Sequence, residues 1–328
     1  MFGQVRRRLF GISPAETTIA RRDFTVTDPA VQERLECIGH TFAEGYHAAL
    51  LHLDPQALTT TLEQIEVERR GFAYEGAGMG LALIDTITPW RTTYLLDFLH
   101  GPGQPHAYMI QIGVGWAVAR LKRPVTGWLA QLDPIVNWLM LDGFGFHETF
   151  FDWPRVLGQQ AVPKRLTGYA RRGFDQGVGR ALWFVQGADV GRIQKTIDAF
   201  PLQRRNDIWS GVGLASAYAG GVSAVELETL SHATGDYHHA LAQGVIFATK
   251  TRYRAGNPAS HTDMACEIIC GFPPATAVDL FDTTGQDLPT TELLPAFEIW
   301  RQRIQSRFLT PAFAAMDNYD LALEEVPA

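Results

Sequence analysis

The 328-residue chain has three cysteines, Cys37, Cys266 and Cys270. So sparse and odd a set excludes a disulfide framework and points to a reducing cytoplasm. Cys266 and Cys270 stand four residues apart on an expected helix. With no companion pair they read as buried thiols rather than metal ligands, and no metal or other cofactor is expected. No run of about 18 uninterrupted apolar residues occurs, so no membrane span is expected. The nearest approach, 127–146, is interrupted by Asp133, Pro134, Asn137 and Asp142. Basic excess is missing too: 28 Lys and Arg against 35 Asp and Glu leave a net charge of −7, which argues against a nucleic-acid partner. The strict alternation of a β-strand is scarce. Arg6, Arg7 and Arg8 precede an apolar run too short for a secretory signal, and they read as a basic tail rather than a surface anchor. HExxH, paired CxxC, GxSxG, Walker and Rossmann patterns are all absent.

What the chain does have is glycine, 31 of them, many inside apparent helices. A helical glycine costs roughly 0.5–1 kcal/mol relative to alanine, so a cluster of them needs a reason. Asp175-Gln-Gly-Val-Gly-Arg-Ala-Leu-Trp183 is the clearest case. Related stretches begin their glycines at Gly45, Gly76, Gly113, Gly143, Gly177, Gly211 and Gly244, at intervals of 31, 37, 30, 34, 34 and 33 residues. The spacing predicts an all-α chain of about seven helical hairpins of roughly 34 residues, stacked as an α/α superhelix or toroid. Four residues after most of these glycines stands Ala or Gly (Ala49, Gly80, Ala117, Ala181, Ala215, Ala248); His147 is the exception. Positions i and i+4 share a helix face, so a neighbour can approach closely there. The second glycine, at i+2, faces the other way, and the helix is crowded from both sides.

The whole chain, 1–328, reads as one domain. Residues 1–27 form an irregular arm, and 310–328 a loose tail. Helices are expected from Pro29 towards Leu50, from Arg69 to Asp85, from Pro89 to Leu99, from Ala107 to Lys122 and from Pro134 to Phe151. Residues 152–168 read as an irregular insert. Further glycine helices begin near Tyr169, Arg204 and Tyr237, and a last helix spans about Glu292–Leu309.

The residue before each first glycine is Glu44, Glu75, Ile112, Asp142, Gln176, Ser210 or Gln243. Buried polar groups need partners. The row therefore reads as a ladder of hydrogen bonds between repeats, or as a polar stripe along a cavity. Arg172, Gln176 and Arg180 form one line at i+4 spacing, with Asp175 placed to pair with Arg171 or Arg172. Arg69-Arg70 and Arg204-Arg205 suit capping of the preceding helix. His147-Glu148, near Asp142, is a candidate acid–base group. Trp116, Trp138, Phe146, Trp183, Trp209 and Phe247 fall in or beside the glycine helices, as core or as the wall of an apolar tunnel.

Arg70-Gly-Phe-Ala-Tyr-Glu-Gly76, Asp142-Gly-Phe-Gly-Phe146, Asp175–Phe184, Asp207–Ala215, Leu241–Ala248 and Phe297-Glu-Ile-Trp-Arg301 together resemble the enediyne-biosynthesis family of unknown-function proteins, encoded beside the enediyne polyketide synthase. The resemblance covers about residues 25–308. It implies a bacterial cytoplasmic protein of antibiotic biosynthesis, acting on or binding a linear polyene intermediate, and it carries over no catalytic residue. Asp142, His147, Glu148, Asp175 and Arg180 are then the candidate catalytic groups. Glu75, Trp116, Gln176, Trp183, Trp209, His239 and Gln243 are the candidate substrate contacts. A cofactor-independent cyclase or isomerase is one reading. A non-catalytic helical scaffold for a polyketide synthase or tailoring enzyme is the other, and a homodimer is compatible with both.

Overall fold

The computed structural model describes residues 2–88, 93–289 and 294–309. The helices in order are α1 (Phe2–Phe10), α2 (Ile19–Arg22), α3 (Pro29–Leu51), α4 (Pro55–Leu62), α5 (Arg70–Ile87) and α6 (Tyr94–His100). Then come α7 (Ala107–Arg120), α8 (Thr126–Leu129), α9 (Leu139–Phe151), α10 (Ala170–Val185), α11 (Val190–Asp198) and α12 (Leu202–Tyr218). The last are α13 (Ala224–Ala233), α14 (His238–Ala255), α15 (Ser260–Ala265), α16 (Pro274–Thr284) and α17 (Ala296–Gln305). Among the described residues there is no strand. Residues 310–328, expected as a loose tail, lie outside the described residues, as do Pro89 and Glu292 at two expected helix starts.

The seven glycine-bearing helices are α3, α5, α7, α9, α10, α12 and α14. Each packs directly on the next in chain order. Every one of the six joints is made by two glycines, one from each helix. They are Gly45 with Gly76, Gly78 with Gly113, Gly115 with Gly143, Gly145 with Gly177, Gly179 with Gly211, and Gly213 with Gly244. A methyl group at any of the twelve would lie under 3.0 Å from a backbone atom of the facing helix. The hydrogen in its place points at a carbonyl oxygen, a weak contact worth about 0.5–1 kcal/mol. Each middle helix thus spends its first glycine on the helix before it and its second on the helix after.

This pairing corrects the register at the start of the array. Gly45 faces Ala73 of the following helix, as Gly78, Gly115, Gly145, Gly179 and Gly213 face theirs. It is a second glycine, and Ala43 occupies the first-glycine slot. The residue before that slot is therefore buried Phe42; Glu44, placed in the polar row from sequence, is exposed. The first helix has no predecessor and the last has no glycine-helix successor, so each needs only one glycine.

The contacts also fix direction. Along α5, Gly76 meets Phe42 and Tyr46 of α3, and Gly80 meets Tyr46 and Ala49. Along α10, Gly173 meets Leu141 of α9 and Trp138 just before it, and Gly177 meets Asp142 and Phe146. The sequence numbers climb together, so the neighbours run parallel. Shorter helices make the return: α4, α6, α8, α11 and α13. The expected hairpin is therefore one long helix and one short one. Between α9 and α10 the return is a π-helical turn, Pro154–Gly158, held by buried Val156, Leu157 and Leu166.

Of the arginines expected to cap, Arg70 and Arg205 do so, whereas Arg69 pairs with Glu66 and Arg204 with Asp175, and Arg171 joins the caps instead of pairing with Asp175. Arg70, Arg171 and Arg205 each stand six residues before a first glycine. Their Nε atoms donate to the carbonyls of Ile65, Leu166 and Phe200 at 3.3, 3.0 and 2.8 Å. Arg205→Ala is expected to lower stability by about 1–2 kcal/mol, read from the urea midpoint, because Phe200 and Asp198 lose their charged donor.

Two further clusters fasten the array. Arg301 of α17 is fully buried and donates to Asp207 and Glu298 at 2.8 and 2.9 Å. Arg172 binds the other oxygens of the same two acids at 2.9 and 2.8 Å, so charges balance two against two. At the opposite side Arg34 of α3 donates to the Ala219 carbonyl at 2.5 Å and pairs with Glu68 at 2.6 Å. Arg252 of α14 donates to the carbonyls of Glu68 and Tyr218 at 2.8 and 2.5 Å. The first and last glycine helices are thereby tied to the same two backbone segments.

The N-terminal arm is not irregular. It contains α1, a 3₁₀ turn at Pro14–Thr17 capped by Ser13, and α2 capped by Thr18. It lies on α3: Arg6 donates to the Leu50 carbonyl at 2.8 Å, and the Tyr46 hydroxyl donates to the Phe10 carbonyl at 2.8 Å.

Candidate functional site

On six of the seven glycine helices, α14 excepted, the side that meets a cavity follows from the register. Counted from the first-glycine slot, positions −4, −1, +3 and +7 fall on one face. These positions supply Gly39, Phe72 and Met109; Phe42 and Glu75; Trp116, Phe146, Arg180 and Leu214; and Phe150, Phe184 and Tyr218. All of them line one pocket, whose empty space is about 830 Å³ when the open solvent at its mouth is counted in. Ile12, Glu16, Thr17 and Ile19 of the N-terminal arm complete the wall. Glu16, Thr17, Gly39 and Phe151 are its half-exposed lining residues, so the opening lies between the arm, α3 and the end of α9.

The wall is mostly aromatic. Trp116 is the hub, with ring centroids 4.4 Å from Phe42, 5.1 Å from Phe146 and 6.0 Å from Phe150. Phe146 in turn meets Phe184 edge-on at 5.2 Å. At the +3 position the other helices carry Tyr46, Met79, Trp116, Phe146, Leu214 and Phe247; α10 alone carries a charge, Arg180.

Arg180 is 5% exposed and reaches across to α5. Its Nη2 donates to Glu75 Oε1 at 3.0 Å, and Nη1 lies 2.9 Å from Asp142 Oδ1. The Trp116 indole N–H donates to the same Glu75 oxygen at 3.0 Å. Gln176 donates to Asp142 Oδ2 at 2.8 Å. Both bonds to Glu75 land on Oε1, and Oε2 has no protein hydrogen bond among the described residues. The guanidinium carbon sits 4.9 Å above the Phe146 ring centroid, a cation–π contact.

Two carboxyls thus share one guanidinium out of bulk water. Burial pushes the Glu75 and Asp142 pKa values up, and Arg180 offsets only part of that. Burial works against the Arg180 cation, but Asp142 and Glu75 outweigh it and hold the cation firmly. The group has one acid more than it has cations, so a proton is readily kept on a carboxyl. Glu75 lines the cavity; Asp142 sits behind Arg180, outside the lining.

The other sequence candidates lie elsewhere. His147 is buried behind the wall, its ring 5.6 Å from Trp116 and 4.7 Å from Phe151. Burial pushes its pKa down, and its Nδ1 is 3.7 Å from Glu148, beyond hydrogen-bond reach. Glu148 pairs with Arg155 at 2.9 Å. Asp175 is held by Arg204 at 2.6 and 2.9 Å, not by Arg171 or Arg172, and burial lifts its pKa to about 6. Trp183 is fully buried and donates to the Gly220 carbonyl at 3.0 Å; Trp209 is core. Gln243 accepts from Ser210, Arg301 and Gln305 at 2.9, 3.1 and 3.2 Å. His239 is half-buried on α14. The hydrogen-bond ladder therefore exists at Asp142–Gln176 and Ser210–Gln243, while Glu75 and Arg180 are the buried charged groups of the cavity lining.

Phe42, Phe72, Phe150, Phe184 and Tyr218 were missed from sequence. The signal was there in the +7 and −4 positions, once the register is counted from Ala43. Cys266 and Cys270 are buried free thiols, and among the described residues no three His, Cys, Asp or Glu side chains gather to hold a metal. No single helix among the described residues is long and apolar enough to cross a membrane.

No curated protein and no solved structure matches the chain. A family described as "Protein of unknown function (DUF1702)" matches over residues 1–308, and the chain belongs to that family.

Proposed function

We propose that this chain is a bacterial cytoplasmic protein of enediyne-type natural-product biosynthesis, taking a linear polyene into its cavity and relocating a proton on it. The inner helices, in this reading, close into a toroid, supported by the Arg34 and Arg252 ties between first and last helices. The single observation that carries the reading is the Glu75–Arg180–Asp142 group on the wall of an aromatic cavity.

The chemistry follows from what each group can do. A protonated Glu75 donates its proton from Oε2 to one carbon of a conjugated chain, and the carboxylate so formed is stabilised by Arg180 and the Trp116 N–H. The cationic chain lies against the π faces of Trp116, Phe146 and Phe42. Return of a proton from a different carbon to Glu75 regenerates the acid and leaves an isomer. Bond closure before that return gives a ring instead. Both outcomes balance without an oxidant or reductant.

The test is metabolite profiling of a deletion strain, then incubation of the accumulated compound with pure protein. Glu75→Gln keeps the shape and an acceptor but removes the acid. It is expected to lower product formation by about 10²–10⁴-fold while the circular dichroism spectrum is unchanged. Full activity in that variant removes Glu75 from the chemistry. Saturable binding of the compound without conversion by the wild type assigns the chain a holding role instead.

A further inference from the structure

Helix α1 is built the wrong way round for a helix lying on a protein. Its inner side is Gly3, Arg6 and Phe10. Gly3 abuts the Leu51 carbonyl, and Arg6 caps the end of α3 through the carbonyls of Leu50 and Leu51. Phe2, Val5 and Leu9 follow at spacings of three and four, which places them on one side, and they are 81%, 51% and 69% exposed. They are three of the seven large hydrophobic side chains exposed among the described residues. Arg7 and Arg8 are exposed beside them.

The exposed charge on this helix is opposite in sign to that of the chain. Of the five arginines in residues 1–22, Arg7 and Arg8 are exposed on α1, Arg6 caps α3, and Arg21 and Arg22 pair with Glu16, in a chain of net charge −7. A short helix with an apolar side, flanked by exposed arginines, matches an anionic bilayer surface. The placement adds a second reason. The segment directly after α1 contributes Ile12, Glu16, Thr17 and Ile19 to the cavity wall, two of them at its opening. An apolar ligand dissolved in lipid would meet the opening beside the attachment point.

We infer that α1 lies in the headgroup region of anionic membranes, with Phe2, Val5 and Leu9 inserted and Arg7 and Arg8 against lipid phosphates. This goes beyond the proposed chemistry and does not depend on it. Attachment is peripheral and reversible.

Sedimentation of the full chain with phosphatidylcholine vesicles, with and without phosphatidylglycerol, tests it. The wild type is expected to pellet with the mixed vesicles and stay soluble with phosphatidylcholine alone, and high salt is expected to release it. Val5→Glu with Leu9→Glu is expected to lower binding by about tenfold or more, with unchanged circular dichroism, since both side chains are exposed. Arg7→Gln with Arg8→Gln is expected to weaken binding and flatten its salt dependence. A wild type that stays soluble with anionic vesicles overturns the inference, as does a double-glutamate variant that binds like wild type. Sedimentation velocity without lipid supplies a third arm: a wild-type dimer that the glutamate variant dissolves assigns the stripe to a second copy and overturns the membrane reading.

Discussion

Alanine at Gly177 is expected to cost about 3 kcal/mol or more, or to prevent folding. Its methyl group would press on the Asp142 carbonyl and lie 2.7 Å from the Phe146 amide, and neither backbone atom can step aside alone. Relief requires α9 and α10 to separate along their length. The normal gain from replacing a helical glycine by alanine, about 0.5–1 kcal/mol, is too small to offset this. Gly127→Ala in α8 is the control. Nothing lies within 4 Å of the added methyl, so stability is expected to stay level or rise by up to about 1 kcal/mol. Urea unfolding midpoints of the two variants decide the matter, and a Gly177→Ala protein as stable as wild type would refute the close packing of these helices.

Arg180→Met is the second large effect, expected at about 3–5 kcal/mol near neutral pH. It leaves Glu75 and Asp142 buried with no cation between them. The loss should shrink in acid, and the sign follows from linkage. Burial already raises both carboxyl pKa values, and removing Arg180 raises them further. A group with a raised folded pKa gives stability that is complete below its unfolded value, about 4, and lost as pH climbs through the folded value. The variant therefore approaches wild type as pH falls from 7 towards about 4. His106 acts oppositely: burial against Tyr74 drives its pKa down to about 3, so stability falls below about pH 6.5. That term is common to both proteins and cancels in their difference. Adding Glu75→Gln and Asp142→Asn to Arg180→Met should recover most of the loss. A deficit that ignores pH would mean that the missing packing of the arginine, not the stranded charge, dominates.

The glycine spacing made the helical array legible, because only repeated close approach explains glycines at fixed intervals inside helices. The same rule misplaced the first helix. Position 43 is alanine, so counting visible glycines took Gly45 for a first glycine and put Glu44 in the polar row. An interval of 33 residues from Ala43 to Gly76 fits the series better than 31, but that slot carries no glycine to announce it. Glu75, Trp116 and Arg180 were legible as polar or aromatic exceptions on buried faces. Their meeting was not, because 105 residues separate Glu75 from Arg180 and only the fold turns them towards each other. Asp175 and Gln243 looked alike from sequence, yet distant arginines, Arg204 and Arg301, engage them. The helix at the N-terminus was missed because Arg6, Arg7 and Arg8 read as a basic tail, although Phe2, Val5 and Leu9 stand at helical spacing.

Arg34 and Arg252 give this array a property that ordinary stacked repeats lack. In an open stack the terminal units have one neighbour each and fray first, and damage in the middle splits the stack into two surviving pieces. Here the terminal helices grip Glu68 and residues 218–219, so each outer unit has a second partner. Melting one unit then strips support from units far away in the chain. Unfolding is therefore expected as one cooperative transition, with coincident urea midpoints by tryptophan fluorescence and circular dichroism.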